Sequence, residues 1–403
     1  MNSNNKLPPI ESFKNVVVVP YLSQSDGKAQ TSGPIWPNWD QQINPRHCRN
    51  GIPYDKCPDT PDEINLHFDD TFVWGGFLHP HFGHFVSEQS TRILQTARHT
   101  EGLPVLFGSY VPRVARSGKL EHAPSFFTAI TDWYGLDRKL IKFCTQPTSI
   151  STLKVASQAE QLVNVYRKNC FIGPSEEYLH LLNENTERNR LIPKRSDKVF
   201  VSRSSMPAEN GGHAASKYLD VALGNLGIPV FFPEKHPLVE QLETYAGADE
   251  LIFAEGSAVH VLQLLGENKN LVSVLNRRNG GRIAANFLAP RCRNLTYINA
   301  VEDTFCFRGP NGALLLHLGI AVFKIDILFD EFSQRGIDLR KVWDSGKYNA
   351  SLDESLKDWI VANVEKLSRR GFLGNQRELI DNLRAKGFND VAKFAEKYIR
   401  KLQ

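Results

Sequence analysis

The sequence predicts an α/β protein, and three patterns support this class. Within residues 198–275, short apolar runs alternate with stretches of 10–15 residues that suit helices, which is typical of parallel βαβ units and a Rossmann-like sheet. The first third of the chain also alternates, with long polar loops between its elements. After Pro310 there is no proline. Residues 331–403 carry 15 lysines and arginines against 11 acidic residues. We therefore expect α/β domains at 1–192 and 193–330, followed by a basic helical extension at 331–403.

The elements of the first domain follow from its apolar runs and its breakers. The expected strands and helices, in chain order, are strand 16–19, strand 71–74, helix 82–98, strand 103–107, helix 124–134 and strand 140–143. Residues 22–62 are rich in Pro, Asn, Asp, Gln and Gly, and we expect an extended surface loop there. Gly75 and Gly76 are expected to end the second strand.

The second domain begins after a polar linker that ends near Asp197, and Ser175 is expected to cap the helix before this linker. Its expected elements are strand 198–202, helix 214–226, strand 229–232, helix 238–246, strand 251–254, helix 257–265 and strand 271–275. The last helix of the extension has an apolar stripe formed by Val391, Phe394, Ala395, Tyr398 and Leu402. Three lysines lie off that stripe, namely Lys393, Lys397 and Lys401.

Composition narrows the function classes. The chain has 403 residues, 41% hydrophobic and 23% charged, as an ordinary globular protein has. It contains no apolar run of ~18–20 residues and no recognisable signal peptide, so we expect a cytoplasmic location. Six scattered cysteines are expected to be reduced thiols, with a loop closed by Cys48 and Cys57 as the alternative.

The net charge of +4 belongs to the extension, because residues 1–330 are neutral. Such a charge on amphipathic helices does not favour a nucleic-acid partner. We expect the helices of 377–403 to pack on the domains through their apolar stripe. Contact of their lysines with a membrane surface or an anionic polymer is a further hypothesis.

A cluster of polar residues begins the first domain's main helix. His84, Glu88 and Arg92 have i, i+4, i+8 spacing, so one helix face would carry all three. A carboxylate next to an imidazole holds the ring in one tautomer and raises its basicity, so this face could supply a general base. The alternative is a buried histidine beside an ordinary Glu88–Arg92 ion pair.

The same cluster allows a metal-binding interpretation. His79, His81, His84 and Glu88 are four potential ligands within ten residues, although the pattern does not match H-E-x-x-H. A metal-dependent hydrolase is therefore the alternative to acid–base chemistry by these residues.

Three strand ends in the second domain offer groups that suit a nucleotide. Arg203 follows the first strand and could bind a phosphate, and Glu234 follows the second and could accept hydrogen bonds from ribose hydroxyls. The turn Gly256-Ser257-Ala258 follows the third and presents backbone N–H groups at the start of a helix. Because the carboxyl ends of parallel strands share one edge of a sheet, these groups are expected to converge on one ligand.

These motifs together resemble those of family 61 glycosyltransferases, including the capsular-polysaccharide type. The upstream motif of that family, (Y/F)-G-H-W-x-x-(D/E)-x-x-P-R, resembles the segment from Phe82 to Arg92. Its downstream motif, H-G-(S/A)-A-x-(T/V)-(N/H), resembles the segment from Glu255 to His260. Glu255 stands where many members have histidine, and it could face sugar hydroxyls.

The resemblance implies two Rossmann-like domains that face a cleft (GT-B type) and an inverting transfer from a nucleotide-diphosphate sugar, UDP-linked by family analogy. The acceptor would be a glycan or glycoconjugate in polysaccharide biosynthesis. His84 or Glu88 would be the base, and Arg203 with the Gly256–Ala258 turn would stabilise the leaving group without a metal. The other residues implied to bind the donor are Arg92, Glu234, Glu255 and His260. No cofactor beyond the donor is implied. A non-catalytic protein that binds a nucleotide or glycan is a third interpretation.

Overall fold

A computed structural model describes most of the chain. The described residues are 6–21, 31–64, 66–100, 102–163, 173–369 and 376–402. Within them the fold is mixed α/β, with sheets of six, five, three and two strands. The predicted α/β class is confirmed at this level.

The six-stranded sheet has the strand order β2-β1-β8-β5-β6-β7. Its strands are β1 (Glu11–Val19), β2 (Gly33–Ile35), β5 (Leu66–Leu78), β6 (Val105–Ser109), β7 (Ile141–Phe143) and β8 (Thr148–Val155). Strand β1 pairs antiparallel with β2 and β8, whereas β8, β5, β6 and β7 are parallel. The sheet is therefore mixed, with its parallel part next to the candidate site.

The expectation that two glycines end the second strand is wrong, because β5 continues through them. A Cβ at Gly75 would lie 2.4 Å from the Phe107 ring, so the glycine allows that ring to cover the strand. Gly76 has φ of +92°, and the register with β6 shifts between Trp74 and Gly76. The pair thus forms an irregularity that bends the strand rather than ending it.

The expectation of an extended surface loop at 22–62 is wrong in part for the segment that the structure describes, 31–62, which is mostly irregular but not all at the surface. It contains β2 and a hairpin of β3 (Cys48–Arg49) and β4 (Ile52–Pro53). Trp36 and Trp39 are buried beneath the six-stranded sheet. These strands are two or three residues long, too short for a periodic pattern to reveal them.

The five-stranded sheet is entirely parallel, with the order β11-β9-β12-β13-β14. Its strands are β9 (Ser196–Val201), β11 (Val230–Phe231), β12 (Ala248–Ala254), β13 (Leu271–Leu275) and β14 (Asn294–Ile298). Numbered along the chain, this order is 2-1-3-4-5, which places the topological switch point between β9 and β12. In doubly wound sheets the ligand binds at the carboxyl ends of the strands on either side of that point.

A three-stranded sheet of β10 (Gly212–His213), β15 (Val301–Phe305) and β16 (Ile320–Phe323) follows the five-stranded one. The α-helices are α1 (Phe82–His84), α2 (Ile93–His99), α3 (Pro112–Ser117), α4 (Ser125–Trp133), α5 (Glu176–Arg188), α6 (Ser216–Asn225), α7 (Leu238–Gly247), α8 (Ala285–Leu288), α9 (Ile325–Ser333), α10 (Ser345–Ser368), α11 (Arg377–Ala385) and α12 (Asn389–Leu402). The predicted cap is confirmed, since Ser175 Oγ accepts a hydrogen bond of 3.1 Å from the Tyr178 amide. The helix expected at 257–265 is a 3-10 helix, Ser257–Leu264.

The C-terminal helices are confirmed as helices, and they do not stand apart from the rest. Buried side chains of α10, α11 and α12 share one hydrophobic core with those of β9, β12 and β13. On α12, Val391 and Ala395 are buried as the apolar stripe predicts, but Leu402 is exposed and Ile399 takes its place in the core. Lys393, the other two off-stripe lysines and their neighbours at the helix end are exposed.

Both large sheets contribute to another core. It contains Val73 and Phe107 from the six-stranded sheet together with Val199 and Phe253 from the five-stranded sheet. A fully buried, bidentate ion pair joins Glu160 to Arg291 across the same region, with N–O distances of 2.8 and 2.6 Å. The first and second parts of the chain are thus packed together next to the candidate site.

The structure also bears on the thiols and on membrane insertion. The five described cysteines, including Cys48 and Cys57, are free thiols, and Cys170 lies outside the described residues. Among the described helices, none combines the length and apolar character needed to cross a bilayer.

Candidate active site

The upstream cluster lies on a helical segment, 82–99, that changes its winding. It starts as α1, continues as a π turn over Phe85–Gln89 and a 3-10 turn over Ser90–Arg92, and ends as α2. A single regular helix was expected at 82–98. Such π turns inside helices frequently lie at functional sites, because they redirect individual side chains.

Glu88, within the π turn, is fully buried and uses both carboxylate oxygens. Oε1 is in a short contact with His84 Nδ1. Oε2 accepts hydrogen bonds from Arg49 Nε at 2.5 Å and from His47 Nε2 at 3.1 Å. The buried charge is therefore compensated by three surrounding groups, two of which come from the β3–β4 hairpin and the residue before it.

These contacts determine the protonation of the cluster. Burial alone would raise the pKa of Glu88, but hydrogen bonds from His47 and His84 and the charge of Arg49 outweigh it and hold that pKa well below its usual range. An ionised carboxylate only accepts hydrogen bonds, so each imidazole must donate to it. In a neutral His84 this places the proton on Nδ1 and leaves Nε2 as a basic lone pair.

His84 is the most exposed member of this cluster, since its side chain is 42% exposed, whereas that of Arg49 is 24% exposed and that of Glu88 is fully buried. The rings of His79 and His81 flank it, with centroids 4.8 and 5.2 Å away. Burial, followed by the proximity of His84, lowers the pKa of His79 to about 4, and the same two causes lower that of His81. Two imidazoles whose protonated forms are disfavoured thus border the His84 ring.

Arg92 does not share the face that the regular spacing assigned to it. The π turn and the 3-10 turn alter the rotation per residue after Glu88, and the Arg92 side chain is buried. Its guanidinium donates to the carbonyls of Pro45 and Arg46, at 3.2 and 3.4 Å. Arg92 thus fixes the backbone next to His47. Its buried guanidinium neither pairs with Glu88 nor is accessible to a ligand.

The second region lies at the switch point of the five-stranded sheet. Arg203 follows β9, and Gly256 follows β12, the neighbouring strand. A Cβ at Gly256 would lie 2.6 Å from Arg203 Nη1, so the glycine admits the guanidinium to this position. Nη2 donates to the carbonyls of Asn210 and Gly211, and the buried Nε has no partner among the described residues.

Glu255 anchors two further arginines at this edge. Its carboxylate is fully buried, accepts hydrogen bonds from the amides of Arg277 and Arg278, and forms an ion pair with the Arg278 guanidinium. The Arg277 side chain donates to the carbonyls of His317 and Gly319. Glu255 is thus occupied by protein groups, and its fully buried carboxylate is not open to sugar hydroxyls, as the hypothesis required.

The other downstream candidates are placed differently. Glu234 is exposed and lies close enough to Arg203 to interact with its charge. His260 is buried, with Nδ1 2.7 Å from Gln263 Oε1, and burial lowers its pKa to about 4. Ala258 is half-buried.

The guanidinium groups at this edge are those of Arg203, Arg277 and Arg278. The carboxylates that interact with the charge of Arg203 are Glu255 and Glu234, so this group of five residues has one positive charge in excess.

The two regions meet through a glycine and a serine. A Cβ on Gly83 would lie 2.8 Å from Ser257 Oγ and 3.3 Å from Cε1 of His81. The start of the 82–99 segment therefore packs directly on the start of the Ser257–Leu264 helix. Burial and the proximity of His84 are the main causes that lower the pKa of His81, and the charge of Arg203 adds to them, so the two regions lie within electrostatic reach of each other.

Metal ligation was the alternative for the histidines. Within the described ranges, no three His, Cys, Asp or Glu side chains form a group that could hold a metal ion. His84 and Glu88 are bonded to each other, and the His81 amide donates to His79 Nδ1 at 3.0 Å.

No protein-family model matches the chain, and no curated protein matches it at a significant level.

Sequence reasoning missed four residues of this arrangement. His47 and Arg49 lie about 40 positions from Glu88 in a stretch without periodicity, where no local pattern connects them to it. Arg277 and Arg278 come two and three residues after the end of β13, so the strand-end argument that selected Arg203 also applied to them.

Proposed function

We propose that this chain is an inverting glycosyltransferase of the GT-B type. It transfers a sugar from a nucleotide diphosphate, in the first instance UDP, to a glycan or glycoconjugate acceptor during polysaccharide assembly in the cytoplasm. The observation that carries the proposal is the contact of Gly83 with Ser257. It brings a basic imidazole next to a cationic edge at the switch point of a doubly wound sheet.

The acceptor side uses His84 as general base. Its Nε2 takes the proton of the acceptor hydroxyl as that oxygen attacks the anomeric carbon of the donor. Glu88 is too deeply buried to reach the acceptor, so it acts as a positioning residue. Its carboxylate holds the ring as the Nδ1–H tautomer and stabilises the imidazolium that forms.

The donor side stabilises the leaving group. The bond between the anomeric carbon and the diphosphate oxygen breaks, and the electron pair stays on that oxygen. The charge of Arg203 and Arg278 and the amides at the start of the Ser257–Leu264 helix would offset this negative charge. A single displacement of this kind inverts the anomeric configuration.

The proposal is tested with a panel of UDP-, GDP-, dTDP- and CMP-sugars in a thermal-shift assay, with Mg²⁺ and with EDTA. One donor class is expected to raise the melting temperature equally in both conditions. That donor is then incubated with wild-type protein and with H84A, with water as the only acceptor of the sugar, and release of the nucleoside diphosphate by hydrolysis is measured (for a CMP-sugar, release of CMP). We expect release by wild type only.

A matched control is H180A. His180 forms the same i, i+4 pair with Glu184 on α5, but it is exposed and distant in sequence from the candidate site. H180A should retain full activity. Stabilisation by no nucleotide sugar would contradict the proposal, and so would equal activity of H84A and wild type. Binding without any release would favour a non-catalytic binding protein.

A further inference from the structure

Arg49 carries a hydrogen-bonding edge that its contact with Glu88 does not use. Its Nε donates to Glu88 Oε2, and its Cζ lies 3.9 Å above the ring of Tyr54. Within the described residues no protein group bonds to Nη1 or Nη2, and the side chain is 24% exposed. A guanidinium bound through Nε keeps the opposite, end-on pair of N–H groups free for a second oxyanion.

The position of this free edge is fixed by the carboxylate that Arg49 shares with His84. Glu88 binds His84 through Oε1 and Arg49 through Oε2. From ordinary hydrogen-bond lengths, the bonded nitrogens of the two side chains lie within about 7 Å of each other. The atoms that would act, His84 Nε2 and the free Nη groups of Arg49, each lie about 2 Å beyond these bonded nitrogens, so they are within about 11 Å of each other, a span of one to two sugar rings.

The surroundings favour a role in binding over a role in charge compensation alone. Glu88 Oε2 has a second donor in His47, and Arg49 is kept flat against Tyr54, which is itself 41% exposed. Stacking on a ring orders a guanidinium and lowers the entropic cost of using its free edge. Arg46, three residues earlier, differs in this respect. Its Nε donates to Asp55 Oδ1 and its Nη2 donates to the Asp55 carbonyl.

We propose that Arg49 binds an anionic substituent of the acceptor, a carboxylate or a phosphate, close to the hydroxyl that His84 deprotonates. The acceptor class is thus an acidic glycan rather than a neutral one. This inference rests on the proposed function, because it assigns His84 the role of base. A carboxylate would come from a uronic acid, and a phosphate from a phosphorylated sugar or a lipid-linked sugar phosphate.

The test measures acceptor binding directly, so it does not depend on transfer. Saturation-transfer NMR in the presence of UDP compares methyl β-D-glucuronide, glucose 6-phosphate and methyl β-D-glucoside on the full chain. Wild type is expected to bind at least one acidic probe about tenfold more tightly than the neutral glucoside. The stronger of the two acidic probes identifies the source of the anion.

The informative variant is R49K, since lysine can still pair with Glu88 but offers no second edge. It should lose the tenfold preference and keep the affinity for UDP. The matched control is R340K. Arg340 also pairs with a carboxylate, Asp330, and also lies over an aromatic ring, Phe329, but it belongs to the C-terminal part. R340K should keep the preference.

Three results would overturn the inference. The first is that wild type shows no preference for either acidic probe at up to 50 mM, and the second is that R49K keeps the preference. If R49K does not fold, the wild-type preference is measured at 50 and 500 mM NaCl, and persistence at high salt overturns the inference. A protein that binds acidic probes but no nucleotide sugar would instead contradict the proposed function.

Discussion

The two sides of the candidate site, one around Glu88 and the other around Gly256, differ in their balance of charges. Around Glu88, one buried carboxylate is bonded to His47, Arg49 and His84. The charges of Glu88 and Arg49 balance, and the most exposed group of the cluster is the His84 ring. Around Gly256, three arginines exceed the nearby carboxylates, and a buried Arg203 nitrogen has no partner in the described part of the chain. The first arrangement suits proton transfer, and the second suits the binding of an anion. Substitutions on each side should therefore affect different steps.

The largest effect is expected from H84A. Removal of the imidazole deletes the base and leaves the cationic edge intact, so turnover should fall about 10³-fold with little change in nucleotide affinity. Steady-state kinetics and calorimetric titration with UDP measure the two quantities. A loss of UDP affinity that matches the loss of turnover would contradict the separation of roles.

The converse effect is expected from R203A. Loss of a charge-assisted hydrogen bond to phosphate should weaken UDP binding about 10- to 100-fold. Turnover at saturating donor should fall less than in H84A. Titration and kinetics on the same preparation decide this, and unchanged UDP affinity would remove Arg203 from the donor site.

A third prediction tests the contact between the two sides. In G83A the added Cβ meets Ser257 Oγ at 2.8 Å, so both activity and stability should fall, the latter by about 1–3 kcal/mol. The double variant G83A/S257G removes the clash and should recover part of both. Denaturant unfolding of the cycle measures the coupling.

The control for that cycle is G224A, because a Cβ at Gly224 meets nothing within 4 Å. It should be neutral or slightly stabilising within α6. Additive effects of G83A and S257G would mean that the two sides do not meet as described.

How much of this could be predicted from sequence differs between the sides. The i, i+4 spacing of His84 and Glu88 and the strand ends at Arg203 and Gly256 are local patterns, and the structure places these residues as the patterns suggest. His47 and Arg49 reach Glu88 through long-range pairing of very short strands. No local pattern encodes such a contact.

Arg92 shows a second limit. Its position at i+8 from His84 holds only for a regular helix, and the π turn over Phe85–Gln89 breaks that regularity. Helix propensities and spacing do not reveal a π turn, because both assume the constant rotation per residue of a regular α-helix.

The smallest effect concerns Asp220, whose carboxylate accepts hydrogen bonds from the hydroxyls of Ser202 and Ser204, the two sequence neighbours of Arg203. Burial raises its pKa to about 6, although hydrogen bonds from Ser204 and Ser202 oppose the shift. The folded chain therefore holds this proton more tightly than the unfolded chain, and the free energy of unfolding falls as pH rises from about 4 to about 6. Relative to D220N, wild type should lose about 1–3 kcal/mol across this range in denaturant unfolding. Parallel curves for the two proteins would contradict that assignment.

We propose that the donor binds at the Arg203 edge with its leaving group towards His84, and a crystal structure of the chain with UDP tests this most directly. We expect the diphosphate between Arg203, Arg278 and the amides that follow Gly256, with its terminal phosphate on the side of His84. A nucleotide bound elsewhere, with this edge left unoccupied, would contradict the proposed donor site.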